Sequence, residues 1–160
     1  MSEISRRAAL AATPVAVAGG LAVANAPTAS AATTTTLKLY TTRTADTLPA
    51  NPALGLPFVI DLDLFDPDGT KIGDGSVIGF IVGVTPGIPP RITIHPKAIF
   101  RFVAGEIHLS GEFDRVVPSS TQNKLAIVGG TGMYNTARGE GSLVYTDLQR
   151  TDHTLTVITG

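Results

Sequence analysis

Hydrophobic and polar residues alternate with a period of two residues over most of the chain after residue 36. From Phe58 to Phe65 every second residue is Phe, Ile or Leu, and Asp61 and Asp63 lie among the intervening positions. Gly105 to Phe113 alternates in the same way. This period is typical of strands with one buried face and one polar face, and no segment shows the 3.6-residue period of an amphipathic helix. The chain is therefore predicted to be all-β.

Turn residues divide this pattern into strands. In Asp66-Pro67-Asp68-Gly69, proline fixes φ at the second corner and glycine permits a positive φ, which predicts a hairpin. Pro96 predicts a kink or a sheet edge. The first predicted strand begins with Leu37–Tyr40, and its end is left open. The others are Phe58–Phe65, Lys71–Val84, Arg91–Val103, Gly105–Phe113, Leu125–Val128, Glu140–Leu148 and His153–Ile158. About eight antiparallel strands favour a closed barrel with room for side chains or one small ligand, and a two-sheet sandwich is the alternative.

Composition excludes several classes of partner and chemistry. The 12 Lys and Arg residues nearly balance the 13 Asp and Glu residues, for a net charge of −1. No basic field is present to hold a nucleic acid or an anionic membrane. Without cysteine the chain has no disulfide, no thiol nucleophile and no cysteine-based zinc site.

The first 31 residues have the composition of an export signal. Arg6 and Arg7 precede an apolar stretch from Ala8 to Ala24, and Ala29-Ser30-Ala31 supplies the small residues that a signal peptidase accepts. The arginine pair favours the twin-arginine route, and the Sec route stays compatible. Proline and glycine interrupt the apolar stretch, which argues against a permanent membrane anchor. We expect residues 1–31 to be removed and residues 32–160 to form a secreted domain.

Few residues outside the turns are candidates for chemistry. Asp61 and Asp63 share a strand face and are able to share a proton as a general acid and base, or else to face solvent or a subunit interface. His95, His108 and His153 each lack a second histidine two residues away on the same face. We therefore predict no metal site and no cofactor.

Two segments have a more specific pattern: KAIFRFVAGEIHLSGEF at 97–113 and LAIVGGTGMYNTARGEGSL at 125–143. Together they resemble the allene oxide cyclase and dirigent superfamily. Dirigent proteins carry a GGTG block that ends in Ala-Arg-Gly, and the plant cyclases carry a similar glycine block after a strand with glycines at both ends. The resemblance extends from Leu37 to the C-terminus. It implies an eight-stranded antiparallel barrel that forms a homotrimer and encloses an apolar cavity for a small molecule.

The resemblance also implies candidate site residues. Arg138 matches a dirigent position of active-site type, where a guanidinium stabilises an anionic or quinone-methide-like intermediate, and a structural ion pair is the alternative. Thr41 and Ile60 stand near positions where the cyclases carry a glutamate and an asparagine. Six side chains are candidates both for substrate binding and for core packing: Tyr40, Phe58, Ile60, Phe100, Phe102 and Tyr134.

The expected function follows from the cavity that the resemblance implies. Such a barrel binds a small apolar or aromatic metabolite and controls its cyclisation or stereoselective coupling by shape, without a cofactor. A non-catalytic carrier and a structural extracellular domain are the two alternatives.

Overall fold

Nine strands and one turn of 3-10 helix form the computed structural model, which describes residues 31–88 and 90–160. The strands are β1 (Thr33–Asp46), β2 (Pro57–Phe65), β3 (Lys71–Thr85), β4 (Arg91–Phe102), β5 (Gly105–Ser110), β6 (Phe113–Arg115), β7 (Asn123–Gly130), β8 (Arg138–Tyr145) and β9 (Arg150–Thr159), and the helical turn is Gly132–Tyr134. The predicted export signal lies, apart from Ala31, outside the described residues and stays a prediction. No helix in the described ranges is long and apolar enough to cross a membrane.

Antiparallel pairing closes the sheet into a barrel. Neighbouring strands follow the order β3-β2-β1-β9-β8-β7-β5-β4, and β3 also pairs with β4. The short strand β6 pairs with β4 as well, beyond the end of β5, so β5 and β6 share one position in the barrel. The predicted eight-stranded antiparallel barrel is therefore confirmed, and the closure of a single sheet excludes the sandwich.

The interruption between β5 and β6 explains how β4 accommodates Pro96: the proline faces a local gap in the neighbouring strand, as the expected sheet edge requires. Pro96 lies inside β4, between the stretch that pairs with β5 and the stretch that pairs with β6. Its carbonyl accepts a hydrogen bond from Gly111 N–H at 3.3 Å, where the partner strand is broken. Because the N and C=O of one residue point to the same side of a strand, the missing proline N–H costs no ladder bond there.

Strand β8 ends earlier than the apolar pattern predicts. The predicted strand continues to Leu148, whereas the observed strand stops at Tyr145. The carboxylate of Asp147 accepts hydrogen bonds from the backbone N–H of Gln149 and Arg150, each at 2.7 Å. This turn competes with further pairing and leaves Leu148 exposed.

The barrel interior has a packed half and an open half. Near the end where β1 starts and β9 finishes, aliphatic side chains such as Leu64, Ile107 and Leu155 are completely buried against one another. Towards the other end, where β1 finishes and β9 starts, the inward side chains leave a cavity. We use "packed half" and "open half" for these two regions.

Candidate functional site

A largely apolar cavity occupies the open half of the barrel. The space free of protein atoms is about 600 Å³ including its opening to solvent, of which about 60 Å³ admits the centre of a water molecule. Small-molecule sites are concave and mostly apolar with a few polar groups, and this space shares that character. The apolar wall is formed by Phe58, Ile60, Leu62, Val77, Ile94, Pro96, Ala98, Phe100, Phe113, Leu125 and Leu143.

His153 and Thr41 supply a polar spot in this wall. The Nε2 atom of His153 lies 3.2 Å from the hydroxyl oxygen of Thr41, and the ring of Phe100 meets the imidazole edge-on at 5.2 Å. The Nδ1 atom is buried and has no hydrogen-bond partner. Burial lowers the pKa of His153 to about 4, against an opposing effect of Asp152. The imidazole is therefore neutral at physiological pH, and its Nδ1 is unpartnered among the described residues.

A second polar group lies towards the mouth of the cavity. Arg43, at the end of β1, and Tyr145, at the end of β8, both line the cavity. Arg115 on β6 brings its guanidinium carbon 5.7 Å from the centre of the Tyr145 ring. Burial raises the pKa of the Tyr145 hydroxyl, while the charges of Arg115 and Arg43 act in the opposite direction. The hydroxyl is therefore protonated at neutral pH.

Three of the six candidate substrate-binding residues line the cavity. Phe58 and Ile60 are buried on the inner face of β2, and Phe100 is buried on the inner face of β4. The period-two pattern of β2 therefore indicated the inward side of the strand correctly.

Tyr40 lies on the outer side of the barrel. Its neighbours Leu39 and Thr41 are buried, so alternation along β1 turns the Tyr40 ring away from the interior. The ring stacks on Phe65 at 5.1 Å, and the Arg150 guanidinium lies 4.0 Å from its centre. This exterior stack does not contribute to the cavity wall.

Phe102, Tyr134 and Arg138 lie at the other end of the barrel. The rings of Phe102 and Tyr134 pack together at 5.9 Å, partly buried against the packed half. Arg138 pairs with Ile158 near the end of β9, whereas the cavity residue Leu143 pairs with His153 near its start. The exposed Arg138 side chain donates a hydrogen bond to the Gly160 carbonyl at 3.3 Å. Five residues of strand, about 17 Å, separate Arg138 from Leu143.

Asp61 and Asp63 lie on the outer face of β2. The side chain of Asp61 is exposed, and the carboxylate of Asp63 binds the ammonium of Lys71 at 2.7 Å. Because strand side chains alternate, two carboxylates between buried Ile60 and Leu64 necessarily face away from the cavity. The structure places neither carboxylate near His153, Arg43 or Arg115.

Three residues of the cavity wall were not singled out as site residues from the sequence: Arg43, Tyr145 and His153. Arg115, which lies over the Tyr145 ring, was not singled out either. His153 alternates with the apolar residues Leu155 and Val157, so the period of β9 carried a usable signal. For Arg43 and Arg115 no local signal existed, because a charged residue near a strand end is usually solvated. Thr41 was noted at a family position, and it also lines the cavity.

The described residues contain no cluster of three His, Cys, Asp or Glu side chains able to hold a metal ion. His108 and Glu106 approach within 3.3 Å, and His95 and Glu112 within 3.6 Å, but these are separate surface pairs.

Solved structures of several kinds have a similar barrel. A pyocyanin demethylase superposes with a TM-score of 0.63 at 21% identity, over 77% of this chain and 99% of that one. An exo-specific intermolecular Diels-Alderase gives 0.65 at 13% identity, over 81% and 100%. A pterocarpan synthase dirigent protein gives 0.61 at 17% identity, over 83% and 94%. At these identities the likeness shows the fold alone.

Sequence comparison identifies the family. No curated protein matches the chain. The family model described as "Allene oxide cyclase barrel like domain" matches residues 34–158, which include all nine strands of the described structure except the first residue of β1 and the last residue of β9. The chain therefore belongs to the allene oxide cyclase barrel-like family.

Proposed function

We propose that this protein binds a small apolar or aromatic molecule inside the open half of its barrel and steers the cyclisation or coupling of that molecule. The observation that carries the proposal is the cavity itself, an apolar space that the packed side chains of the closed barrel leave between them. The Diels-Alderase and the dirigent protein of similar fold support the choice of reaction type.

The mechanism rests on shape more than on acid and base chemistry. Rigid apolar walls hold a flexible substrate in a conformation close to the transition state, so that one ring closure or one reacting face predominates. The unpartnered Nδ1 of His153 offers one hydrogen bond to orient the substrate within that space. Such a site needs no cofactor.

Filling the cavity tests the binding step. Ala98 is buried in the cavity wall, and Ala98→Leu places three additional carbon atoms in the space that the ligand needs. We expect wild-type protein to enhance the fluorescence of the neutral probe N-phenyl-1-naphthylamine, and Ala98→Leu to weaken its binding roughly tenfold or more. Ala126→Leu makes the same change on the outer face of β7 and leaves binding unchanged. Equal binding by all three proteins would contradict the proposal.

A non-catalytic carrier would pass this test too. The outward placement of Asp61, Asp63 and Arg138 leaves few groups for covalent chemistry, which is the observation that favours a carrier. Incubation with polyene or phenolic radical precursors distinguishes the two functions. Steering changes the ratio of product stereoisomers, and Ala98→Leu abolishes that change. A carrier leaves the ratio equal to that of the uncatalysed reaction.

A further inference from the structure

Two arginines from distant parts of the sequence lie near Tyr145, at the mouth of the cavity. Arg43 lies on the inward face of β1 two residues after Thr41, and its side chain is 14% exposed. Arg115 lies two residues after Phe113, a cavity residue, and therefore on the same inward face of β6. Both strands present these residues at the same end of the barrel as Tyr145.

Arg43 already has a partner. Its guanidinium binds the carboxylate of Asp46 at 2.6 Å, and its backbone N–H donates to the carbonyl of Gln149 at 2.9 Å. The ion pair lies within β1, and the backbone hydrogen bond ties this end of the strand to the loop between β8 and β9.

Arg115 has no carboxylate partner among the described residues. Four other arginines of the described residues pair with aspartates, whereas the buried Nε of Arg115 makes no hydrogen bond within that part of the chain. The described pairs are Arg43–Asp46, Arg91–Asp114, Arg101–Asp74 and Arg150–Asp152. Burial lowers the pKa of Arg115 and the charge of Arg43 acts in the same direction, yet a guanidinium remains protonated at neutral pH. Two cations against the single carboxylate of Asp46 leave one positive charge uncompensated.

We propose that the substrate of this cavity carries an anionic group, a carboxylate or a similar oxyanion, that Arg115 binds at the mouth beside Tyr145. This inference rests on the proposed function and specifies the class of substrate. The apolar part of the molecule then lies deeper, among Phe58, Phe100 and Leu143.

An anion at this point would account for both features of Arg115, its unpartnered Nε and its uncompensated charge. It accepts a hydrogen bond from the orphaned Nε, and it compensates the excess charge. A planar guanidinium offers two parallel N–H donors to a carboxylate, so the contact orients the substrate as well as attracting it. The Tyr145 ring, against which the guanidinium lies, limits the directions from which the anion approaches.

A matched pair of ligands isolates the effect of the ligand's negative charge on its affinity. Cinnamate and cinnamyl alcohol have the same apolar skeleton and differ in the ionised carboxylate. We expect isothermal titration calorimetry at about pH 7.5 to show cinnamate binding roughly tenfold more tightly to wild-type protein. Arg115→Gln removes this preference, and the dissociation constant of cinnamyl alcohol stays within about twofold.

Arg138→Gln is the matched control, because it removes the same charge from an exposed position at the opposite end of the barrel. It should change neither dissociation constant. Arg115→Met keeps the apolar stem and serves as a second variant if Arg115→Gln fails to fold by circular dichroism. It should also bind the two ligands about equally.

The outcomes separate the two proposals. Equal loss of cinnamate binding in the Arg115 and Arg138 variants overturns the anion site, since net charge alone would explain it. Wild-type protein that binds the alcohol as tightly as cinnamate overturns the anion site and leaves the proposed function intact. Failure of both ligands and of N-phenyl-1-naphthylamine to bind overturns the proposed function together with the anion site.

Discussion

The most unusual residue of the open half is His153. It is 7% exposed, its Nε2 is satisfied by Thr41, and its Nδ1 has no partner. A buried polar atom without a hydrogen bond costs about 1–3 kcal/mol. Polar groups of binding sites often carry such a cost, and His153 lies in the cavity wall.

Protonation of His153 should destabilise the fold. The unfolded chain binds this proton near pH 6.5 and the folded protein near pH 4, so between these values the unfolded state holds more protons. The free energy of unfolding is therefore complete above about pH 6.5 and falls as the pH drops to about 4. The total loss is roughly 3 kcal/mol.

Urea unfolding at several pH values checks this prediction. We expect His153→Gln, which is able to keep a hydrogen bond to Thr41, to lose the pH dependence between about pH 6.5 and 5. His95→Gln changes a partly exposed histidine and should keep it. The same slope in all three proteins would show that His153 is already solvated in the folded state.

At the scale of elements, the glycine-rich segment at 129–139, which carries the resemblance to dirigent proteins, forms part of the packed end of the barrel. Gly132 has a φ of +59°, and a Cβ there would lie 2.5 Å from the carbonyl oxygen of Ala104. Gly139 has a φ of +134°, and its Cβ would overlap the carbonyl oxygen of Thr156 on the paired strand β9. These residues let the chain turn from β7 through the helical turn into β8. The segment therefore specifies the fold and lies away from the proposed chemistry.

A single methyl group at Gly139 should weaken the barrel. Gly139→Ala combines a strained φ with a backbone clash, and we expect a loss of at least about 2 kcal/mol in the free energy of unfolding. Gly55→Ala is the control, because Gly55 also has a positive φ, +84°, but has open space around it. It should lose about 1 kcal/mol. Equal losses in thermal or urea unfolding would remove the packing argument.

At the scale of the molecule, the outer surface bears an apolar stripe along β3. Ile78 and Phe80 are each 55% exposed, and Val82 and Val84 continue the same outward row. Contiguous exposed apolar residues mark interaction surfaces more often than scattered ones do. The homotrimer that the family resemblance implies stays a proposal, and this stripe is the surface that we assign to it.

Measurement of the mass in solution tests the trimer. Sedimentation equilibrium of wild-type protein should give the mass of three chains. Phe80→Asp should give single chains, because a carboxylate would be buried without a partner in the interface. Leu148→Asp changes an exposed apolar residue in the loop after β8 and should leave the trimer intact. A single-chain mass for wild-type protein at micromolar concentration would contradict the proposal.

Family resemblance and local pattern together predicted the barrel but only part of the candidate site. Phe58, Ile60 and Phe100 do lie in the cavity wall, since their strands alternate clearly enough to show the inward face, and their role in binding stays a prediction. Tyr40 was misplaced because the start of β1 mixes lysine with leucine and does not reveal which face is buried. Arg138 was selected on its motif, and a motif conveys no information about its distance from the cavity.

The sequence by itself determined the strands, their turns and the inward side of β2, because a period of two residues and a Pro-Asp-Gly turn act over a few neighbouring positions. Only the tertiary structure decided that Thr41 meets His153 and that Arg115 lies over the ring of Tyr145. Those neighbours depend on the register of β1 with β9 and on the break that starts β6, and both are settled when the whole sheet closes. Closure also decided that the interior keeps a cavity towards one end.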